Sequence, residues 1–325
     1  MGPVMRVTFI LPCRGDRPFG GFKIVYEYAN MLTRDGHQVA LIHPQVMVKG
    51  NSIVENLANI LKYIVRKIFR TYTPDSWFTL NKAVSLKWVL YPTISNTPDG
   101  DIVIATGWNT ANFVASLPSY AGAKFYLLQD LEIWSSKNPD AVLSTWKLPL
   151  KKIVIARWLK EYAESIGEQV CYVPNGLDFN AFGFDVPLIK RYPATVMILN
   201  HERPNKGTND GIAALILVKK QFPELQVILF GVPRRPPYLP AWIRYYRNPK
   251  QHKLRSLYNE ASIFLAPCRT EGWGLTPCEA MICGCAVVAT DVGGHREFSI
   301  NGDTALLVPP QDIDTMSDAV QRLIK

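Results

Sequence analysis

Two glutamates, Glu271 and Glu279, stand on either side of a glycine-rich turn, where carboxylates can receive hydroxyl groups. The surrounding sequence from Arg269 to Glu297 reads RTEGWGLTPCEAMICGCAVVATDVGGHRE. It predicts a helix opening at Leu275-Thr276-Pro277, because an early proline lacks only an N–H that has no intrahelical partner. The free N–H groups of such a first turn, with the positive end of the helix dipole, bind anions. The pattern therefore predicts a phosphate site flanked by hydroxyl-binding carboxylates, as a nucleotide sugar requires.

The composition is that of a folded chain with room for two domains. The 325 residues are 48% hydrophobic and carry a net charge of +9, and this length allows two separate cores. No uninterrupted apolar run is long enough to predict a transmembrane helix. The N-terminal MGPVMRVTFILPC predicts a first strand rather than a secretion signal. Six cysteines without a C-x-x-C pair or metal-ligand spacing favour a reducing cytosol.

Residues 44–95 form a basic insert with seven basic and two acidic residues. Within it, residues 53–69 place apolar side chains at helical spacing. Basic residues accompany them at Lys62, Arg66, Lys67 and Arg70. Residues 53–70 could lie on an anionic membrane surface, or the helix could pack its apolar side on its own domain. Nucleic-acid binding is not expected, because no recognition motif accompanies the basic residues. We expect a cytoplasmic protein, either free or peripheral on the inner membrane face.

Short apolar strands alternate with helices, which predicts parallel α/β layers. Predicted strands cover 6–11, 38–42, 101–105, 124–128, 152–155, 169–173, 195–199, 226–230, 263–266, 286–290 and 305–308. Predicted helices cover 21–35, 53–69, 109–117, 156–165, 207–221, 251–259, 276–283 and 312–325. A turn-rich stretch separates the two halves, so we predict two tandem Rossmann-like domains, 1–183 and 184–325. Their parallel sheets are expected to face a central cleft.

The string E-G-W-G-L-T-P-x-E-A-M, followed by G-x-A-V-V-A-T-D-V-G-G, resembles the donor-binding motif of retaining family 4 glycosyltransferases, enzymes of the GT-B fold. The resemblance extends to the first strand, a VPNG segment and a Lys-Gly pair, and it weakens across 44–95. It implies an N-terminal acceptor domain and a C-terminal donor domain. The implied activity is metal-independent, cofactor-free retaining transfer from a dTDP-, UDP- or GDP-linked sugar to a glycan or lipid-linked acceptor. The implied role is in cell-surface polysaccharide or glycoconjugate synthesis.

The resemblance implies roles for residues of the second half. Glu279 would receive the ribose hydroxyls, and Glu271 would face the donor sugar, bind it and orient the transition state, with general-base work left open. The backbone N–H groups of Gly274, Leu275 and Thr276 would meet the sugar and the phosphate.

Lys206 matches the family lysine that binds the diphosphate. The family arginine that precedes it falls near His201, whereas the arginine in this loop is Arg203. Either residue could serve. We favour Arg203, because a guanidinium grips phosphate bidentately and a neutral imidazole does not.

In the first half, Gly20-Gly21 matches the glycine loop that faces the donor phosphates in the family. Gln129 occupies the place where many relatives carry a histidine near the reaction centre. Asp130 could orient the donor, accept the acceptor proton or cap the following turn. The Q-D-x-E string that these two residues begin is similar to a subgroup that includes bacterial rhamnosyltransferases, which hints at a deoxysugar donor.

Trp108 and Asn109 follow the third predicted strand and are candidates for the acceptor side, although a packing role for the tryptophan is equally open. Two alternative functions remain: a nucleotide-sugar epimerase on the same scaffold, and a non-catalytic glycosyltransferase-like subunit. The family usually continues past the last predicted helix, and whether Lys325 is a natural end is open.

Overall fold

The structure is a computed structural model that describes residues 2–325. The chain divides into two compact units between Pro174 and Asn175. This division lies before the boundary that we predict at 183/184. The reason is that the segment after Asn175 packs on the second unit: Phe182 is 2% exposed and contacts the Tyr258 ring edge-on, with 5.8 Å between ring centroids.

The first unit is built on a seven-stranded sheet in the order β3-β2-β1-β4-β5-β6-β7, and every strand pair is parallel. Its strands are β1 Arg6–Ile10, β2 Gln38–Pro44, β3 Ser85–Val89, β4 Ile102–Ala105, β5 Ala123–Leu128, β6 Lys151–Val154 and β7 Val170–Tyr172. Its helices are α1 Gly20–Arg34, α2 Ile53–Phe69, α3 Trp108–Ser116, α4 Pro139–Ser144 and α5 Arg157–Ser165.

The second unit is built on a six-stranded parallel sheet in the order β10-β9-β8-β11-β12-β13. Its strands are β8 Thr195–Asn200, β9 Gln226–Gly231, β10 Ile243–Arg247, β11 Ile263–Ala266, β12 Ala286–Thr290 and β13 Leu306–Val308. Its helices are α6 Thr208–Gln221, α7 Gln251–Glu260, α8 Leu275–Ile282 and α9 Ile313–Ile324. One apolar cluster covers each face of this sheet, so its strands are buried on both faces.

The sequence did not predict three of these elements: β3, β10 and α4. The two strands lie at the edges of their sheets. Their sequences, SLKWV and IRYYR, mix charged and aromatic residues and contain no apolar run. Edge strands often carry charge because it discourages pairing with another chain. The helix has only six residues, too few to show a helical repeat.

Both sheets reverse strand order near the middle, between β1 and β4 in the first unit and between β8 and β11 in the second. Ligands of open α/β sheets bind outside the carboxyl ends of the strands at such a switch point. The loops that follow these four strands are therefore where functional side chains are expected in each unit.

Candidate active site

In the second unit, the loops after β8 and β11 are tied together at the switch point. The Arg269 N–H donates to the Asn205 carbonyl at 2.7 Å, and Asn205 Nδ2 donates to Thr270 Oγ1 at 3.2 Å. Gly207 has a φ of 64°, and a Cβ there would lie 1.8 Å from the Pro267 carbonyl oxygen. Only glycine allows this close approach. These contacts therefore fix the side chains of one loop relative to those of the other.

The centre of the site is an ion pair between Lys206 and Glu271. Lys206 Nζ lies 2.8 Å from Glu271 Oε1 and 2.6 Å from Oε2. Both side chains are largely buried, at 20% and 15% exposure. Burial alone would raise the pKa of the Glu271 carboxyl, but the charge of Lys206 and the hydrogen bonds from Lys206 and Cys268 outweigh it, so the pKa is lowered. A carboxylate and an ammonium thus lie together at the switch point of the second sheet.

Ligand atoms of Cys268, Glu271 and His295 lie within 4.8 Å of one another. Burial raises the pKa of the Cys268 thiol well above its ordinary value, and Glu271 adds to the effect. The thiol is therefore protonated, and it donates to Glu271 Oε2 at 3.2 Å. Both oxygens of Glu271 also accept hydrogen bonds from the Lys206 ammonium, so the carboxylate of this cluster is already paired with a cation.

His295 is a buried residue of this site that the sequence analysis did not single out. Its Nδ1 lies 2.8 Å from the Thr290 carbonyl oxygen, which can only accept, so Nδ1 carries the proton. Burial lowers the pKa of the imidazole, which favours the neutral form. Nε2 is then an acceptor, and it has no hydrogen-bond partner among residues 2–325. The only available signal was a histidine directly after the Gly293-Gly294 pair.

Helix α8 begins at Leu275, as predicted, directly after Gly274, whose φ is 100°. The N–H groups of its first turn, including those of Leu275 and Thr276, have no intrahelical carbonyl to pair with. Glu279 lies one turn further on and is 5% exposed. Its Oε2 accepts a hydrogen bond from the Tyr258 hydroxyl at 3.0 Å. The sequence did not indicate a role for Tyr258, because a tyrosine in a helix is typical of a packing residue.

The structure bears on the choice between Arg203 and His201. His201 Nδ1 accepts a hydrogen bond from the Arg203 N–H at 3.0 Å. Burial, Lys206 and Arg203 together lower the pKa of His201 to about 4. The imidazole is therefore neutral near pH 7 and supplies no positive charge. A phosphate-binding role for Arg203 stays a prediction.

In the first unit, the loops after β1 and β5 meet. Helix α1 begins at Gly20, and Gln129 Nε2 donates to the Gly21 carbonyl at 3.2 Å. A Cβ on Gly21 would lie 3.2 Å from Gln129 Nε2. The glycine pair and Gln129 are therefore neighbours at one end of the sheet.

Asp130 shapes the turn that follows β5. Its Oδ1 accepts from the Leu131 N–H and its Oδ2 from Trp134 Nε1, both at 2.8 Å. These contacts favour the turn-capping role over the two chemical roles. Glu132, which the sequence analysis did not select, accepts the Trp108 N–H at 2.7 Å and so caps α3.

Trp108 and Asn109 occupy the first turn of α3 and are both half-buried. Trp108 Nε1 donates to Ser135 Oγ at 2.7 Å. The indole is thus fixed by the loop after β5, beside the Gln129-Asp130 segment. A face of the ring in this position can contact a ligand or pack locally.

Residues 193–325 match the family model described as glycosyl transferases group 1. The phosphatidyl-myo-inositol mannosyltransferase of Mycolicibacterium smegmatis is 30% identical over 168 residues, which cover 48% of this chain and 43% of that protein. The glycogen synthase of Mycobacterium tuberculosis is 22% identical over 273 residues, 78% of this chain and 61% of that protein. The chain thus matches less than two thirds of the length of these relatives.

Solved structures cover more of the chain. The Anabaena HepE protein in complex with UDP and glucose aligns with a TM-score of 0.72 over 99% of this chain and 90% of its own, at 16% identity. Sucrose-phosphate synthase from Thermosynechococcus elongatus aligns with a TM-score of 0.69 over 98% and 89%, also at 16% identity. The fold is that of the GT-B glycosyltransferases. The predicted fold class is therefore confirmed, and the sequence signature of the group 1 enzymes lies in the second unit.

Proposed function

We propose that this protein is a metal-independent, retaining glycosyltransferase that moves a sugar from a nucleotide sugar to a glycan or lipid-linked acceptor. The observation that carries the proposal is the Lys206–Glu271 ion pair beside the N-terminus of α8 at the switch point of the second sheet. The group 1 match of residues 193–325 and the UDP and glucose bound by HepE support a nucleotide-sugar donor.

In the proposed reaction the bond between the sugar C1 and the phosphate oxygen breaks, and a bond from C1 to the acceptor oxygen forms on the same face. The acceptor proton passes to the departing phosphate oxygen, so no protein nucleophile is needed. Lys206, Arg203 and the N–H groups of Leu275 and Thr276 stabilise the negative charge that develops on the diphosphate. Glu271 holds the Lys206 ammonium in place and faces the sugar.

Glu279 is proposed to accept hydrogen bonds from the ribose hydroxyls, with its carboxylate oriented by Tyr258. A carboxylate that is already fixed binds a diol with less loss of side-chain entropy. For the first unit we propose acceptor binding, with Trp108, Asn109 and Gln129 as the candidate contacts. A deoxysugar donor and a role in surface-polysaccharide synthesis remain hypotheses that the donor and acceptor assays address.

The decisive test is turnover with defined donors. The purified protein is incubated with each nucleotide sugar, with and without glycan or lipid-linked acceptors, and free nucleotide and product are quantified. We expect nucleotide release that depends on the acceptor, together with a glycosylated product. Conversion of the donor to its epimer without an acceptor would indicate an epimerase, and donor binding without any conversion would indicate a non-catalytic subunit.

Two further measurements test the mechanism. Proton NMR of the fresh product should show the anomeric configuration of the donor, whereas inversion would refute the proposed same-face attack.

The rate should be unchanged after EDTA treatment and dialysis, because Lys206 and Arg203 supply the positive charge. Loss of activity that Mg²⁺ or Mn²⁺ restores would contradict metal independence.

A further inference from the structure

Helix α2 turns its apolar side away from its own domain. None of its residues is buried. Large apolar side chains along it are exposed at Ile53 80%, Val54 77%, Leu57 60%, Ile60 38%, Leu61 63%, Ile64 45%, Val65 43%, Ile68 69% and Phe69 71%. A monomeric soluble protein rarely leaves so many neighbouring apolar side chains uncovered. The apolar side of α2 therefore does not pack on its own domain, which was the second of the two alternatives for this helix.

The opposite side of α2 is polar and aromatic, and it holds the helix to the first unit. Tyr63 stacks on Trp88 of β3 with ring centroids 5.8 Å apart, and Trp88 Nε1 donates to the Tyr63 carbonyl at 3.2 Å. Arg66 Nη1 donates to Gln45 Oε1. Asn56 bonds the backbone of Gly50 through both of its side-chain polar atoms at 2.9 Å. The helix is therefore fixed in place with its apolar side outward.

Both ends of α2 are capped, so the helix does not depend on a partner to form. Ser52 Oγ accepts a hydrogen bond from the Glu55 N–H at 3.1 Å. Arg70 ends the helix in a left-handed conformation with φ 52°, and its N–H bonds the Arg66 carbonyl. A preformed surface loses less free energy on binding than one that must first fold.

The charges around the apolar side identify its occupant. Residues 49–70 contain five basic residues against one acidic residue, Glu55. On a wheel of 3.6 residues per turn, Lys62 and Lys67 fall at the two borders of the apolar side, which spans about half of the circumference. Their ammonium groups can reach lipid phosphates while the apolar side chains enter the acyl region. A second copy would instead place lysines against lysines, and protein interfaces are depleted in this residue.

We propose that α2 is a docking surface that lies flat on a membrane containing anionic lipid. No helix within residues 2–325 is long and apolar enough to cross a membrane. The 17 residues of α2 correspond to a rod of about 25 Å in the membrane plane. This inference is independent of sugar transfer, because it rests on the exposed side of α2 alone.

The test is co-sedimentation of the full chain with vesicles. Vesicles with about 30% phosphatidylglycerol carry the negative surface that basic segments recognise, and pure phosphatidylcholine vesicles do not. We expect binding to the anionic vesicles that weakens as NaCl rises from about 0.05 M to about 0.5 M, because salt screens exposed charges. Equal binding to both vesicle types, or no binding to either, would overturn the proposal.

The apolar contribution is tested with a triple variant, Leu57→Gln/Leu61→Gln/Ile68→Gln. These side chains are exposed, so the melting temperature should not change while vesicle binding is lost. The matched control is Ile189→Gln, at a position that is 94% exposed in the second unit, and it should bind as the unaltered protein does. A triple variant that still binds fully would overturn the proposal. So would a dimer of the unaltered protein that the triple variant converts to a monomer, since the surface would then bind a second copy.

The charge contribution is tested with Lys62→Glu/Lys67→Glu. Each basic residue near an anionic surface contributes about fivefold to the binding constant, so the double reversal should weaken binding well beyond twentyfold. Lys220→Glu, which reverses an exposed charge in the second unit, serves as the control and should change binding little. Equal effects of the two substitutions would mean that only overall charge matters, which contradicts docking through α2.

Discussion

The Lys206–Glu271 pair places one ammonium and one carboxylate at fixed positions in the candidate active site. With both oxygens of Glu271 within 2.8 Å of one ammonium, the carboxylate keeps Lys206 at the end of β8 without a ligand. In the proposed mechanism, the donor phosphate therefore meets a cation that is already in position. Pre-positioned charge stabilises a transition state at little cost in reorganisation.

Replacing Lys206 should therefore impair the chemical step more than folding. We expect Lys206→Ala to lower kcat/KM about 10²- to 10³-fold, because it removes one stabilising group from the departing diphosphate. Steady-state kinetics measure this loss. Lys220→Ala removes an exposed lysine of the same unit and should leave kcat/KM unchanged. A Lys206→Ala enzyme with unaltered kcat/KM would remove this residue from the mechanism.

The Tyr258–Glu279 hydrogen bond predicts a binding defect rather than a loss of chemistry. Tyr258→Phe deletes the hydroxyl that orients Glu279 and leaves a buried carboxylate with one donor fewer. We expect destabilisation by about 1–2 kcal/mol and a rise in the donor KM of about tenfold, with kcat changed less. Chemical denaturation and kinetics measure the two effects. Phe230→Leu alters another ring that packs on Tyr258, and it should change stability without this selective rise in KM.

At the scale of elements, two neighbouring loops support the site. The β8–α6 and β11–α8 connections are joined by the Asn205 contacts and by the close approach of Gly207 to Pro267. Because these loops leave adjacent strands, the parallel sheet itself brings Lys206 to Glu271. Residues far apart in sequence thus meet through topology.

Gly207→Ala tests this loop pairing. A Cβ at φ 64° and 1.8 Å from the Pro267 oxygen forces the loops apart, and we expect a loss of about 3 kcal/mol of stability. Gly302→Ala is the matched control, since Gly302 has φ 81° with no atom within 4 Å of its Cβ position. It should cost only about 1 kcal/mol for the left-handed backbone. Thermal denaturation of both variants makes the comparison, and equal losses would contradict the contact.

The elements that the sequence predicted are those with a strong periodic signal. Buried central strands such as β8 and β11 are short apolar runs, and α2 shows a clear helical repeat, so all three were predicted within a residue of their observed ends. The edge strands β3 and β10 lack such a run and were missed. The outward orientation of α2 could not be predicted either, because periodicity defines two faces without saying which one is buried.

The sequence predicted those residues of the candidate site that belong to a recognisable motif. Lys206, Glu271 and Glu279 follow from the motif resemblance. Their partners Tyr258, Cys268 and His295 do not, because each belongs to the site only through distances that folding creates. The neutral state of His201 likewise depends on its burial and on the cations beside it.

At the scale of the whole molecule, buried histidines predict acid sensitivity in both units. The pKa values of His43 and His201 are lowered from 6.5 to about 4, in each case chiefly by burial. Above pH 6.5 both histidines are neutral whether the chain is folded or unfolded. Between about pH 6.5 and about pH 4 the unfolded chain takes up protons that the folded chain refuses, so stability falls as the pH falls.

For a fully buried histidine such as His43, this loss is about 1.4 kcal/mol per pH unit in that window. Urea denaturation at about pH 7 and about pH 5 measures it. His43→Gln should be less stable at about pH 7, because His43 accepts from the Tyr26 hydroxyl and donates to the Cys13 carbonyl. Its stability should depend less on pH, and an unchanged pH dependence would contradict the assignment.

The most direct test of the central claim is thermal stabilisation by a panel of UDP-, GDP-, ADP- and dTDP-sugars. Ligand binding to the folded state raises the melting temperature by mass action, so the true donor should stand out well above its Kd. We predict that one nucleotide class stabilises the protein and that Lys206→Ala and Glu279→Ala both abolish this shift while remaining folded. No stabilisation by any donor, or a shift that survives both substitutions, would contradict the account of a nucleotide-sugar site at Lys206, Glu271 and Glu279.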